Sequence, residues 1–306
     1  MTTRRFLEVE DLDHAELAGI LARGKEWKTD PSMVPAPLAR CGVALLFEKP
    51  SARTRSSSEM AVVGLGGHPI YIRAEEVGLG VRESVEDIAR TLGAYNVLLA
   101  ARVFDHRTLE TMSTVLDAQG VPVVNLLSDL AHPCQAVADL LTLQEQFGRL
   151  EGRRLVYVGD GNNVAASLAF AAALTGIEFT VSSPIGYELD PEVVARARNL
   201  GGSVELVTDP FDAVKGADAV YTDVWTSMGQ ETESDFRRAA FAGYRVSEEM
   251  MDAANDDAVF LHCLPAHRGE ECDAEVIDGP RSLVWEQAAN RMDAARAIFA
   301  LMVEHR

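Results

Sequence analysis

Short apolar or β-branched runs alternate with amphipathic helical stretches along the whole chain, and this rhythm restricts the fold more than any other feature. Strand candidates in the first half are 42–47, 69–72, 96–101 and 121–126; in the second they are 154–158, 178–182, 203–207, 219–223 and 259–262. Helical patterns fill the gaps, for example around 84–92, 107–119, 135–147, 164–174 and 191–200. Such alternation predicts an α/β class with two doubly wound parallel-sheet domains, helices covering both faces of each sheet. A chain of 306 residues is long enough for two domains. One helical pattern ends at Gly148, and Gly152 precedes a new strand. The first domain is therefore expected at 1–148 and the second at 149–284, with the C-terminal helix 285–306 packing back on the first. Open sheets bind ligands at the carboxyl ends of their strands, which places the expected site in the cleft between the domains.

The segment Ser51-Ala52-Arg53-Thr54-Arg55 follows the first strand candidate, which Pro50 stops. Met60, Val63 and Gly64 fall at helical spacing beyond it, with Glu59 in an early turn, so a helix should begin near Ser51. A helix N-terminus offers free N–H groups and a partial positive charge, which suits an anion. Two arginines placed there oppose the macrodipole, and a bound phosphate would relieve the conflict. The alternative is an exposed, Arg-rich helix start capped by Ser51 and paired with Glu59.

Four more segments carry polar groups at strand ends. Ala131-His132-Pro133-Cys134-Gln135 opens a helix; the proline holds His132 extended, outside the helix, and itself suits the first turn. His132 is then a donor or acid–base group, with Gln135 close behind, or only a cap. Cys134 reads as packed. Arg102 closes the run Leu98-Leu99-Ala100-Ala101, where a cation has no structural need and suits an anion or carbonyl. Gly159-Asp160-Gly161-Asn162-Asn163 joins a strand to a helix and partly resembles a dinucleotide fingerprint. Asn163 is placed to hold a polar ligand, and either asparagine could cap the helix. Asp223 ends a strand ahead of Ser227-Met228-Gly229 and suits a cationic substrate. Cys263, within His262-Cys263-Leu264-Pro265, also follows a strand, with no evident dedicated base, which favours a positioning role over a covalent one. Arg291 lies in the last helix, as a cation able to reach the cleft.

The formal charge is −19, from 47 acids against 28 bases, and the lysines are Lys25, Lys28, Lys49 and Lys215 alone. Such a surface repels nucleic acid and anionic membrane, so neither is expected as a partner. Acid excess with scarce lysine fits a salt-rich cytoplasm, where salt screens carboxylate repulsion; the plainer alternative is an acidic mesophilic enzyme. No apolar run approaches the ~20 residues of a membrane span, and no signal-type region follows Met1, so a cytoplasmic protein is expected. Cys41, Cys134, Cys263 and Cys272 form no CxxC pair or zinc spacing and are expected as reduced thiols, Cys41 as a small core residue at a strand start.

Together these motifs resemble the transcarbamylases, most closely their ornithine-specific branch, over essentially the whole chain. Ser51-Ala52-Arg53-Thr54-Arg55 is similar to the carbamoyl-phosphate signature, usually Ser-Thr-Arg-Thr-Arg, with Ala52 lacking one hydroxyl. His132-Pro133-Cys134-Gln135 matches the His-Pro-x-Gln element. Asp223-x-x-x-Ser227-Met228-Gly229 and His262-Cys263-Leu264-Pro265 match the ornithine branch. The loop 78–84 resembles one donated by a neighbouring subunit; Gly78 stands where Gln or His is often found, leaving Arg82 as the loop's candidate for a phosphate contact.

The resemblance implies carbamoyl transfer from carbamoyl phosphate to L-ornithine, or the reverse phosphorolysis, without cofactor, metal or covalent intermediate. It implies that Ser51, Ala52 (through its backbone N–H), Arg53, Thr54 and Arg102 hold the phosphate. Arg102, His132 and Gln135 would polarise the carbamoyl group, supported by Arg291, with Leu264 also at this substrate. Asn163, Asp223, Ser227, Met228 and Cys263 would bind ornithine, and the expected catalytic set is Arg102, His132, Asp223 and Cys263. A homotrimer, or a multiple of trimers, is implied as well. Two other readings compete. A nicotinamide dehydrogenase would use Gly159–Gly161, but Ser182-Ser183-Pro184 stands where its ribose-binding acid belongs. A non-catalytic protein that senses a small anion is the third.

Overall fold

The computed structural model describes residues 3–226 and 234–304. It divides into two compact units, Met1–Leu141 with Ala289–Arg306, and Thr142–Ala288. The first unit contains β1 (Arg5–Phe6), α1 (His14–Thr29), β2 (Gly42–Phe47), α2 (Ala52–Gly64), β3 (His68–Arg73), α3 (Ala74–Val77), α4 (Val85–Tyr95), β4 (Leu98–Arg102), α5 (His106–Asp117) and β5 (Val123–Leu127). The chain passes to the second unit within α6 (Pro133–Phe147). There it forms β6 (Arg154–Val158), α7 (Asn163–Thr175), β7 (Glu178–Ser182), α8 (Pro191–Asn199), β8 (Ser203–Val207), α9 (Pro210–Val214) and β9 (Ala219–Thr222). α10 (Ser234–Phe241), α11 (Glu248–Ala253), β10 (Val259–His262) and α12 (Ala274–Ile277) follow, and the chain returns within α13 (Val284–Val303).

Each unit has one five-stranded sheet, in the orders β1-β5-β4-β2-β3 and β10-β9-β6-β7-β8. Every pairing is parallel. The strand order reverses beside the first full-length strand of each sheet, between β2 and β4 and between β6 and β9. At such a switch point neighbouring crossovers leave in opposite directions and open a crevice at the carboxyl ends of the strands. Central strands are covered on both faces, which explains why Val43–Phe47 is buried at every position and reads as an unbroken apolar run. α7 is enclosed likewise, with Val164 through Leu174 all buried.

Three local expectations change. The buried side of α2 consists of Thr54, Ser58, Ala61 and Val62, while Met60 and Val63 are 52% and 49% exposed. The buried side therefore carries two polar residues and an alanine beside Val62, while Met60 and Val63 face outward. Cys41 precedes β2 and is only half-buried. The units part inside α6 and α13 instead of at their ends, because both helices are continuous through the division. Among the described residues no helix is long and apolar enough to cross a membrane.

Candidate active site

The first unit gathers cations at the ends of β2, β4 and β5. Ser51 caps α2: its Oγ accepts from the Thr54 N–H at 3.3 Å, and the two hydroxyls share a hydrogen bond at 3.1 Å. The first N–H groups of the helix, including that of Ala52, have no intrahelical acceptor. Arg102 reaches the same place through a register shift at the end of β4, where Ala101 pairs with Asn125 but Arg102 with Leu127. Such irregularities re-aim a side chain, and Arg102 Nη1 donates to Thr54 Oγ1 at 3.3 Å. Arg291, from α13, donates to the same oxygen through Nη2 at 2.8 Å and through Nη1 to Gln135 Oε1. Gln135 is oriented in turn by Asp139, which accepts from its Nε2 at 2.7 Å.

The two arginines of the signature separate cleanly. Arg55 pairs with Glu59 at 2.9 Å and lies 3.7 Å over the Tyr71 ring, as the exposed-helix alternative requires. Arg53 has neither a hydrogen bond nor an ion pair among the described residues and is half-exposed at the helix start. His132 is buried beside this cluster; its carbonyl accepts from the N–H groups of Gln135 and Ala136, at 3.0 and 3.2 Å. Burial, then Arg291, Arg102 and Arg53, hold its imidazole well below the usual histidine range. His132 is thus neutral near pH 7 and able to donate one N–H. Burial pushes the Cys134 thiol up to about 12, which makes it a packed, unreactive group.

The second unit gathers an acid, a thiol and amides at the ends of β6, β9 and β10. Asp223, 6% exposed, receives the Cys263 thiol on Oδ1 at 3.0 Å and Asn162 Nδ2 on Oδ2 at 3.0 Å. Asn162 is the cap of α7, and Asn163 is its first residue, half-buried. Behind Cys263, His262 uses both ring nitrogens: Nδ1 accepts from the Leu264 N–H at 2.9 Å, so Nε2 carries the proton that faces Glu271 at 3.1 Å. Burial raises the Glu271 pKa, but bonds from His262 and the His267 N–H outweigh it and leave the carboxyl lowered overall. Leu264 stands at φ +62°, a left-handed conformation costly for leucine. Ser227 and Met228 lie outside the described residues.

Asp223, His262 and Cys263 bring their polar atoms within 4.8 Å of one another, as metal ligands do. His262, however, is already committed on both nitrogens, to the Leu264 N–H and to Glu271, while Cys263 donates to Asp223. The two glycines of 159–161 have structural causes: Gly159 stands at φ +147°, and a Cβ on Gly161 would lie 2.3 Å from the Leu189 nitrogen, a close approach of backbone to backbone that demands glycine. Gly78 ends α3 at φ +67°, where a Cβ would meet the Arg82 Cβ at 2.6 Å. Arg82 itself donates to the Glu76 carbonyl at 3.2 Å.

Sequence reasoning did not single out Asp139, Asn162 as partner of Asp223, or the pair His262–Glu271. Asp139 had a signal, since it lies four residues from Gln135 on one helix. Glu271 had none, because a loop brings it back to His262.

Residues 4–145 match the family model described as the carbamoyl-P binding domain of aspartate/ornithine carbamoyltransferase. Residues 151–302 match that of its Asp/Orn binding domain. The chain is 48% identical to an ornithine carbamoyltransferase of Acidothermus cellulolyticus, over 98% of this chain and 97% of that one. It is 45% identical to one of Archaeoglobus fulgidus, over 96% of each. Among solved structures it is similar to the ornithine carbamoyltransferase of Pyrococcus furiosus, with a TM-score of 0.94 and 43% identity, covering 100% of this chain and 98% of that one. For that of Thermus thermophilus the TM-score is 0.89 and the identity 42%, covering 99% and 100%.

Proposed function

This chain belongs to the aspartate/ornithine carbamoyltransferase family, and on that premise we propose that it transfers the carbamoyl group of carbamoyl phosphate to the side-chain amine of L-ornithine, giving L-citrulline and phosphate. The free N–H groups of α2, Ser51, Arg53, Thr54 and Arg102 hold the phosphate. Arg102, neutral His132 and Gln135 donate to the carbamoyl oxygen as charge develops on it, with Arg291 behind Gln135 and Leu264 at the same substrate. Asn163, Ser227 and Met228 hold the amino acid. Asp223 and Cys263 surround its side-chain amine, which loses a proton before it attacks the carbonyl carbon. Phosphate leaves with the bonding electrons and takes up the second amine proton. Transfer is direct, and rate comes from orientation and fixed donors. The same groups serve phosphorolysis in reverse.

One observation carries the choice of acceptor. Asp223, buried and bonded to the Cys263 thiol, attracts a cationic amine and would repel the second carboxylate of aspartate. The test offers purified protein carbamoyl phosphate with ornithine, aspartate or putrescine. Saturable citrulline formation from ornithine alone is expected; equal turnover of aspartate would overturn the assignment.

The enzyme works as a cytoplasmic homotrimer, or a multiple of trimers, adapted to salt. The family resemblance supports the trimer, as do the exposed Met60 and Val63 on α2 and Ile70 on the edge strand β3. The charge of −19 supports the salt adaptation. At molar salt the Debye length falls to ~3 Å and carboxylate repulsion is nearly abolished, whereas exposed ion pairs have little to lose. Oligomer mass and citrulline formation across a potassium chloride series should both be greatest at high salt. Full activity at tens of millimolar that declines steadily as salt rises would rule the adaptation out.

A further inference from the structure

The geometry points to Asn162 as a positioning residue that sets the rotation of the Asp223 carboxylate and reserves its Oδ1 for the Cys263 thiol. The inference rests on the transfer reading above and adds a residue whose fold role, capping α7, conceals a second one. Asn162 Oδ1 accepts from the N–H groups of Val164 and Ala165, at 2.9 and 3.2 Å, and from the Tyr157 hydroxyl at 3.2 Å. Backbone N–H groups only donate, so the amide oxygen must be the atom facing them, and the amide cannot flip. Nδ2 is then forced outward, where it meets Asp223 Oδ2 at 3.0 Å. The cap and the carboxylate are thus tied through one rigid amide.

The rest of the chain of contacts keeps that direction. Tyr157 is buried; burial, then Asp223, Cys263 and Asp160, push its phenol well above the usual tyrosine range, so it remains a neutral donor to Asn162. Cys263 donates to the other oxygen of Asp223. With Oδ2 occupied by the amide, the carboxylate cannot turn to offer both oxygens to one partner. A substrate amine entering beside Cys263 meets an acceptor of set orientation. Aspartate at position 162 would cap α7 equally well, since caps select only for a short acceptor. It would, however, present an acceptor to an acceptor. Capping alone leaves the choice open, whereas contact with Asp223 requires the amide.

The test compares wild type with Asn162→Ser and Asn162→Asp, both of which retain a good cap. Citrulline kinetics are measured for each substrate across the acid limb of the pH profile. Calorimetric binding of L-ornithine in the presence of inorganic phosphate supplies a readout without turnover. For Asn162→Ser, kcat/KM for ornithine should fall roughly ten- to a hundredfold, the range for losing a hydrogen bond to a charged group, with KM for carbamoyl phosphate nearly unchanged. For Asn162→Asp, the added negative charge favours the ammonium form of the substrate, so the acid limb should move to higher pH. Unchanged ornithine affinity and pH profile in both variants would overturn the inference. So would equal losses for both substrates accompanied by a lower thermal midpoint, which is the mark of a cap alone. The wild-type citrulline rate judges the transfer reading by itself, and the variant-to-wild-type binding ratio judges Asn162.

Discussion

At the ends of β2, β4 and β5, guanidiniums from three separate parts of the chain surround a helix N-terminus, two of them bonded to one threonine hydroxyl. At the ends of β6, β9 and β10, a buried carboxylate is held by a thiol and an amide. Both clusters sit at the switch point of a parallel sheet with the same pattern of reversal. The architecture therefore specifies where a ligand binds but says nothing of its charge. Side chains at equivalent strand ends do that, and here they are opposite in sign. The two clusters also differ in how each holds its histidine. His132 is kept uncharged by burial among arginines, whereas His262 is fixed between an N–H donor and Glu271.

The contrast is tested most severely at Arg53. Arg53→Ala should lower kcat/KM for carbamoyl phosphate by about 10²–10³-fold, as removal of a charge-stabilising donor does, with an unchanged melting curve. Near-normal kinetics in a folded variant would mean that the phosphate lies elsewhere. Cys263→Ser should act on the other substrate, with kcat/KM for ornithine about tenfold lower and the pH profile displaced. A change confined to carbamoyl phosphate would reverse the division of labour.

A third test concerns His132 and acts on stability. Its folded pKa is lowered, so below about 6.5 the unfolded chain takes up a proton that the folded chain refuses. The stability it contributes is complete above that pH and is lost as pH falls, by about 1.4 kcal/mol per unit until the folded value is reached. Urea midpoints for wild type and a non-titrating His132→Asn variant should diverge over this window, and added phosphate should reduce the divergence. Parallel curves would show that the imidazole is protonated in the fold. The smallest effect is expected at Arg55. Removing its pair with Glu59 and its contact with Tyr71 should cost no more than about 1 kcal/mol and leave citrulline formation intact. A loss as large as that at Arg53 would erase the distinction between the two arginines.

Strands and helices were legible because burial on both faces writes continuous apolar runs, and the strands at 42–47, 154–158 and 259–262 follow from them directly, while the mostly exposed edge strand at 203–207 is marked by alternation instead. The two-residue β1 is too short for any periodicity to mark, and the buried side of α2 sets Thr54, Ser58 and Ala61 beside Val62, too few large apolar residues to announce it. Motif chemistry at the strand ends was equally local: a proline that forces His132 out of its helix, a serine that caps α2, and an acid and a thiol that close two strands.

Sequence by itself therefore determined the α/β class, the strands to within a residue or two and the chemical types gathered at their ends, since each depends on neighbours a few residues away. Tertiary structure alone decided which arginine is left unpaired and which amide holds Asp223. It also decided that Arg102 and Arg291, far apart in the chain, donate to one Thr54 oxygen. Those are relations between distant segments, and their energies depend on ångström-scale approach and exclusion of water, which no local pattern encodes.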